Sequence, residues 1–125
     1  MKVIEDFKYT KEHEWINISD NSATIGITDF AQGELGDVVF VELPNREDSF
    51  SKNDVFGTVE AIKTVADLYI PVSGKVIAIN EELESNPELI NSNPYDKGWV
   101  IKIELNNPSE LDTLLDNNQY KKLIS

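Results

Sequence analysis

Between residues 13 and 105 the apolar residues never keep a helical period for long; they fall into short runs stopped by turn formers. HEWINI (13–18) and SATIGI (22–27) alternate across Ser19-Asp20-Asn21, the pattern of a hairpin with one buried face. VVFVEL (38–43) reads as a buried strand stopped by Pro44-Asn45. Val55 to Ile62 and Val65 to Ile70 flank one lysine, Lys63, and KVIAIN (75–80) follows a turn expected at Ser73-Gly74. WVIKIEL (99–105) is the last such run. Strands this short bury an apolar face only by pairing into sheets, which constrains the chain to a compact, mainly β architecture.

Helical signals are fewer. Thr28 can cap a short helix over DFAQGEL, which Gly36 would end. Asn86-Pro87-Glu88 offers a cap, a proline at the first helical position and an acid in the first turn, so a helix over PELIN (87–91) is expected. After Asn107, Leu111, Leu114 and Leu115 share one helical face, and Tyr120, Leu123 and Ile124 repeat the spacing. No linker, repeat or low-complexity segment interrupts the chain. A single domain over 1–125 is expected, strand-rich over 1–105, with C-terminal helices over about 108–124.

At 125 residues the chain can bury a core without staples. It has no cysteine, which excludes disulfides, thiolate metal sites and cysteine nucleophiles. The formal net charge of −12 disfavours nucleic acid and anionic membranes and suits docking on basic protein faces. No apolar run reaches the roughly 18–20 residues of a membrane span, and MKVIEDFKYTKEHEW lacks the apolar centre of a signal peptide. A soluble interior compartment is expected.

Self-contained active sites find little support. The single histidine, His13, sits between Glu12 and Glu14; in a strand the two acids would share one face and His13 the other, poor geometry for a metal. A serine-histidine triad would have to use the same residue, and there is no nucleophile elbow, P-loop or dinucleotide fingerprint. The strands count against a phosphopantetheine carrier, which is an all-helical bundle. With 23 acids, paired carboxylates discriminate nothing.

Lys63 stands in VEAIKTVADLYIP (59–71), where no Asn-Gly or Gly-Gly pair marks a turn. Two readings of it are open from the residues alone. It is a solvated lysine at a strand edge or turn, or it is a covalent attachment point whose amine, once acylated, extends an arm from a rigid corner.

Several blocks, in order, resemble one family: YTKEHEW (9–15), ATIGITDFAQGELGDVVFVELP (23–44), GTVEAIKTVADLYIPVSGKVIAIN (57–80), NPELINSNPYDKGWVIKIEL (86–105) and NPSELDTLL (107–115). The chain resembles, over nearly its full length, the H-protein family of the glycine cleavage system. The resemblance implies a barrel-sandwich hybrid fold like that of lipoyl domains, with lipoate amide-linked to Lys63 at a hairpin tip. Glu60 and Gly74 occupy the family's positions for lipoylation recognition, three before and eleven after the lysine. Gly74 is also wanted for a tight turn after Pro71.

The implied role is carriage without catalysis. A lipoate-attaching enzyme loads the lysine. A pyridoxal-phosphate glycine decarboxylase places the aminomethyl group of glycine on the arm, a tetrahydrofolate-dependent aminomethyltransferase removes it, and a flavin-dependent (FAD) dihydrolipoamide dehydrogenase restores the disulfide. Glu14, with Glu12 and Asp67, is expected to hold the loaded arm in a cleft. A monomer is expected, in a bacterial cytoplasm or, for a processed eukaryotic chain, a mitochondrial matrix. Two positions depart from the family pattern. Glu34 stands where some members have histidine, so no arm contact carries over to it, and Ile70 stands where a small hydroxyl residue is common, which bears on the cleft's polar lining.

Other carriers fit less well. Biotinyl domains flank their lysine with methionines, whereas Ile62 and Thr64 flank this one. Lipoyl domains of 2-oxo-acid dehydrogenases are shorter and lack these C-terminal helices. A relay carrier passing lipoyl groups to other complexes would keep the same lysine.

Overall fold

A computed structural model of the chain describes residues 2–125. The strands are β1 (Lys8–Tyr9), β2 (Glu14–Ser19), β3 (Ser22–Ile27), β4 (Val38–Glu42), β5 (Ser49–Phe50), β6 (Val55–Ala61), β7 (Val65–Tyr69), β8 (Gly74–Ile79) and β9 (Ile101–Leu105). They form a six-stranded sheet in the order β1-β2-β3-β9-β8-β5 and a three-stranded sheet in the order β4-β6-β7. All pairings are antiparallel. The two sheets face each other across one apolar cluster, with Ile16, Ile25, Val76, Ile101 and Ile103 from the larger and Val41, Val59 and Leu68 from the smaller. This is the barrel-sandwich hybrid of lipoyl-type domains.

Local sequence explains the elements that frame the lysine. Helix α1 (Asp29–Leu35) starts at Thr28, whose Oγ1 accepts from the Ala31 amide at 3.1 Å. It stops at Gly36, whose φ of 81° is costly for any residue with a Cβ. Beyond α1, β4 returns and pairs with β6, which turns through Ile62 and Lys63 into β7. Two short helices, α2 (Glu82–Ser85) and α3 (Leu89–Ser92), insert Leu83 and Ile90 into the core. Helix α4 (Asn117–Ile124) closes the chain against β1, with Tyr120 stacked on Tyr9 at 4.6 Å between centroids.

Several expectations need correction. The run 38–43 is not a uniformly buried strand: a bulge between Val38 and Phe40 adds one residue, and both Val39 and Phe40 face solvent. The helix expected over 87–91 begins at Leu89 with no side-chain cap, and α2 precedes it without a cap either. The C-terminal segment breaks in two. A 3₁₀ turn covers Pro108–Thr113, Leu114 is extended, and Leu115 bridges to Tyr9 before Asp116 and Gln119 form a capping box for α4.

Gly74 is a strand residue, not a turn residue. It opens β8, and a Cβ there would lie 2.6 Å from the Glu104 carbonyl oxygen and 2.8 Å from Ile103 Cδ1. Close approach of β9, rather than a special backbone angle, requires the glycine. His13 precedes β2 in a bend with φ of 70°, so the strand alternation expected for Glu12, His13 and Glu14 does not apply. Strands β1 and β5, two residues each, carry no period for a pattern reading to detect.

Candidate functional site: a hairpin-tip lysine beside a carboxylate-floored cleft

Lys63 lies at the tip of the β6–β7 hairpin. The Ala61 amide donates to the Thr64 carbonyl at 2.8 Å, leaving only Ile62 and Lys63 in the loop. Neither has positive φ, so the turn is not one of the primed types that signal themselves with Asn-Gly or Gly-Gly. The Ile62 amide donates across to the Asp37 carbonyl at 3.2 Å, pinning the tip to the start of β4. Lys63 is exposed, and its stem passes over Gly36: a Cβ on that glycine would sit 3.5 Å from Lys63 Cε. The amine therefore stands on a fixed post beside the end of α1.

Next to this post a cleft of about 220 Å³ runs between β7 and α1. Its walls are apolar, from Ile27, Phe30, Ala31, Leu35, Ala66 and Leu68. Its polar residues are Glu12, His13, Glu14, Glu34 and Asp67. Phe30, Ala31, Glu34 and Leu35 reach it because positions three and four apart (30/34, 31/34, 31/35) share a face of α1.

Glu14 lies deepest of the acids, 2% exposed. Its Oε1 accepts from Thr10 Oγ1 at 2.7 Å, and its Oε2 from the Tyr69 amide at 3.4 Å. The Thr10 and Tyr69 bonds favour the carboxylate, but burial outweighs them and the Glu12 charge adds to it, pushing the pKa to about 7. The Tyr69 bond also occupies an outward amide of β7, an edge strand of its sheet.

His13 faces Phe30 at 4.8 Å between ring centroids, and its Nδ1 lies 2.8 Å from the Tyr120 hydroxyl. Burial lowers its pKa, while the charges of Glu12 and Glu34 pull it up.

The sequence-derived residues thus divide. Lys63 stands at the tip, and Glu12, Glu14 and Asp67 line one cleft. Glu60 projects on the outer face of the three-stranded sheet, opposite both Phe40 and Val65. Gly74 serves the β8–β9 contact. Glu34, given no arm contact on sequence, lines the cleft; its i+4 spacing from Phe30 was the available signal. Ile70 is fully buried in the main core and does not line the cleft, so the missing hydroxyl there leaves the cleft's polar lining unchanged.

A barrel-sandwich hybrid that holds one lysine on a hairpin tip defines the class: a lipoyl-domain-like protein. The glycine cleavage H-protein family model matches residues 7–125. The chain belongs to that family. It is 56% identical over 124 residues to the glycine cleavage system H protein of Staphylococcus carnosus, covering 99% of this chain and 98% of that one. The H protein of Staphylococcus haemolyticus is equally similar. The crystal structure of a glycine cleavage system H protein from Mycobacterium marinum superposes with a TM-score of 0.85 at 33% identity, covering 96% of this chain and 97% of that one.

Proposed function

We propose that this chain is a single-domain carrier that bears lipoate on Lys63 and shuttles the aminomethyl group of glycine between the enzymes of the glycine cleavage system. The observation that carries the reading is the pairing of an exposed amine on a fixed two-residue tip with an apolar cleft floored by a buried carboxyl. When bound, lipoate supplies the sulfur pair that accepts the group, delivers it and returns to the disulfide. That role suits a chain with no cysteine of its own.

The residues present fit such an arm. An extended lysyl-lipoyl arm spans roughly 10–15 Å from its backbone, enough to fold back from the tip along β7. Ala31, Leu35, Ala66 and Leu68 match its hydrocarbon, and Glu12, Glu14, Glu34 and Asp67 offer negative charge to a cationic amine. Glu14 does most here: a cationic amine beside it favours its ionised form, and that charge, shielded from water, is screened little. Glu14 orients the amine; Phe30, Ala31 and Leu35 exclude water from it. No residue of this chain performs the chemistry.

Glu60 and Gly74 support recognition by the lipoate-attaching enzyme, Glu60 by contact and Gly74 through the β8–β9 frame. The further partners are a pyridoxal-phosphate glycine decarboxylase, a tetrahydrofolate-dependent aminomethyltransferase and an FAD-dependent dihydrolipoamide dehydrogenase. The staphylococcal sources of the relatives support a bacterial cytoplasm.

Intact mass tests the attachment. Exposure to a lipoate ligase should add about 188 Da, an amide-linked lipoyl group, to the chain and nothing to Lys63→Arg. No adduct on the unsubstituted chain sinks the proposal. Support of glycine-dependent carbon dioxide exchange by the decarboxylase then separates glycine cleavage from lipoyl relay.

A further inference from the structure

Beside the cleft, the outer face of the three-stranded sheet carries the largest concentration of exposed apolar side chains among the described residues. Ile62 at the tip is 76% exposed, Val65 on β7 is 61%, and Val39 and Phe40 on β4 are each 51%. Pairing explains why they stand together. Phe40 lies opposite Glu60 and Glu60 opposite Val65, so the three side chains form one row across the sheet. The extra residue at the β4 bulge puts Val39 at the end of the same row. The next row, Glu42, Thr58 and Asp67, is acidic at both ends. Lys63 follows Glu60 by three residues, at the hairpin tip where this face ends. Isolated exposed apolar residues need no explanation, but a contiguous aromatic and aliphatic set rimmed by like charge does.

We propose that Phe40, Val65 and Ile62, around Glu60, form the docking face for the enzyme that acylates Lys63. The inference deepens the carrier reading and rests on Lys63 being the attachment lysine. Reach selects this occupant. An acylating enzyme must bring an acyl adenylate to Nζ itself: the deprotonated amine attacks the acyl carbon, the C–N bond forms, and the nucleotide leaves with its C–O bonding pair. The amine then gives up its second proton to solvent or base. Nζ lies within a lysine's length of the tip, so the enzyme's body must press on the tip and the row behind it. Enzymes that act on the far end of a loaded arm meet their substrate roughly 10–15 Å away and need no such contact. The charge pattern describes the partner surface: an apolar pocket for Phe40, flanked by lysine or arginine facing Glu42, Glu60 and Asp67.

The test is steady-state lipoyl transfer to the apo chain by a lipoate ligase supplied with lipoate and ATP. Phe40→Ala and Val65→Thr should each reduce kcat/KM by about tenfold or more, mainly through KM, as expected for a central apolar contact. Phe40→Leu should recover most of the loss. Circular dichroism and melting temperature should match the unsubstituted chain, because both side chains are half exposed or more. Transfer to Phe40→Ala within twofold of the unsubstituted chain overturns the docking face while leaving the carrier reading intact. No transfer to the unsubstituted chain overturns the carrier reading itself. Two other results also overturn the docking assignment. One is a Phe40-dependent dimer in sedimentation. The other is a Phe40→Ala chain that is lipoylated normally but impaired in exchange with the decarboxylase.

Discussion

The hydroxyl of Tyr120, in the C-terminal helix, lies 2.8 Å from Nδ1 of His13, on the wall of the cleft beside Lys63. It also lies 2.7 Å from Thr28 Oγ1, the cap of α1. One assignment joins all three groups: Thr28 donates to Tyr120, Tyr120 donates to His13 Nδ1, and the histidine carries its proton on Nε2. A neutral His13 agrees with the downward push of burial on its pKa. The last helix is thereby tied to the cap of α1 and to the His13 side of the cleft.

Tyr120→Phe should therefore cost about 1–2 kcal/mol, the price of leaving a buried hydroxyl and a ring nitrogen short of a partner. The Tyr9 stack survives in that variant. Tyr120→Ala removes the stack as well and should cost about 3–5 kcal/mol. Calorimetry on both variants checks this; equal melting temperatures for Tyr120→Phe and the unsubstituted chain would remove the hydroxyl junction.

Glu14 should make stability fall with rising pH. Its folded pKa of about 7 is above the ordinary value of 4.5, so between those values the folded state holds a proton that the unfolded state has lost. Stability is then lost progressively from about pH 4.5 to 7 and is level above. The full effect is on the order of 3 kcal/mol. Glu14→Gln cannot titrate, so its stability relative to the unsubstituted chain should rise across that window. Urea unfolding at pH 5, 6, 7 and 8 measures the difference; a constant offset would show that Glu14 is ionised throughout. Glu12→Gln, which removes a neighbouring charge that raises the Glu14 pKa, should move the window down.

Much of this architecture was legible because the physics was local. The hairpin at Ser19-Asp20-Asn21, the Thr28 cap and the Gly36 stop all follow from residues within one turn of the feature. What was hidden depended on distant partners. Nothing near Gly74 announces that the Glu104 carbonyl approaches it, and the 38–43 run gives no sign of the bulge that turns Phe40 outward. Lys63 was conspicuous in a strand pattern, but its turn lacks positive φ and so lacks glycine or asparagine to mark it. Residue types place Glu12, Glu14 and Asp67 only as acids. The fold brings β2, β7 and α1 together around one cleft and buries only Glu14.

Lys63→Arg should leave the fold untouched. The side chain is exposed, and Arg keeps the charge, so stability should stay within about 0.5 kcal/mol of the unsubstituted chain. A matching denaturant midpoint with complete loss of lipoyl attachment assigns the lysine to chemistry alone. A shifted midpoint would mean that the stem over Gly36 contributes to packing.

Glu60 and Gly74 should separate contact from framework. Glu60 is exposed on the outer face, so Glu60→Gln should keep stability within about 0.5 kcal/mol while slowing lipoyl attachment about tenfold. Gly74→Ala places a Cβ 2.6 Å from the Glu104 carbonyl oxygen, where rigid backbone must yield. Overpacking of that kind costs about 1–3 kcal/mol, and for a chain of this size each kcal/mol lowers the melting temperature by roughly 3–6 °C. Attachment should slow in Gly74→Ala because β8 and β9 shift, and a second-site Ile103→Val, which relieves part of the crowding, should recover both properties together. A Gly74→Ala chain that melts early yet accepts lipoyl at the normal rate would leave Gly74 as a packing residue. A chain that melts normally yet is not lipoylated would make it a direct contact.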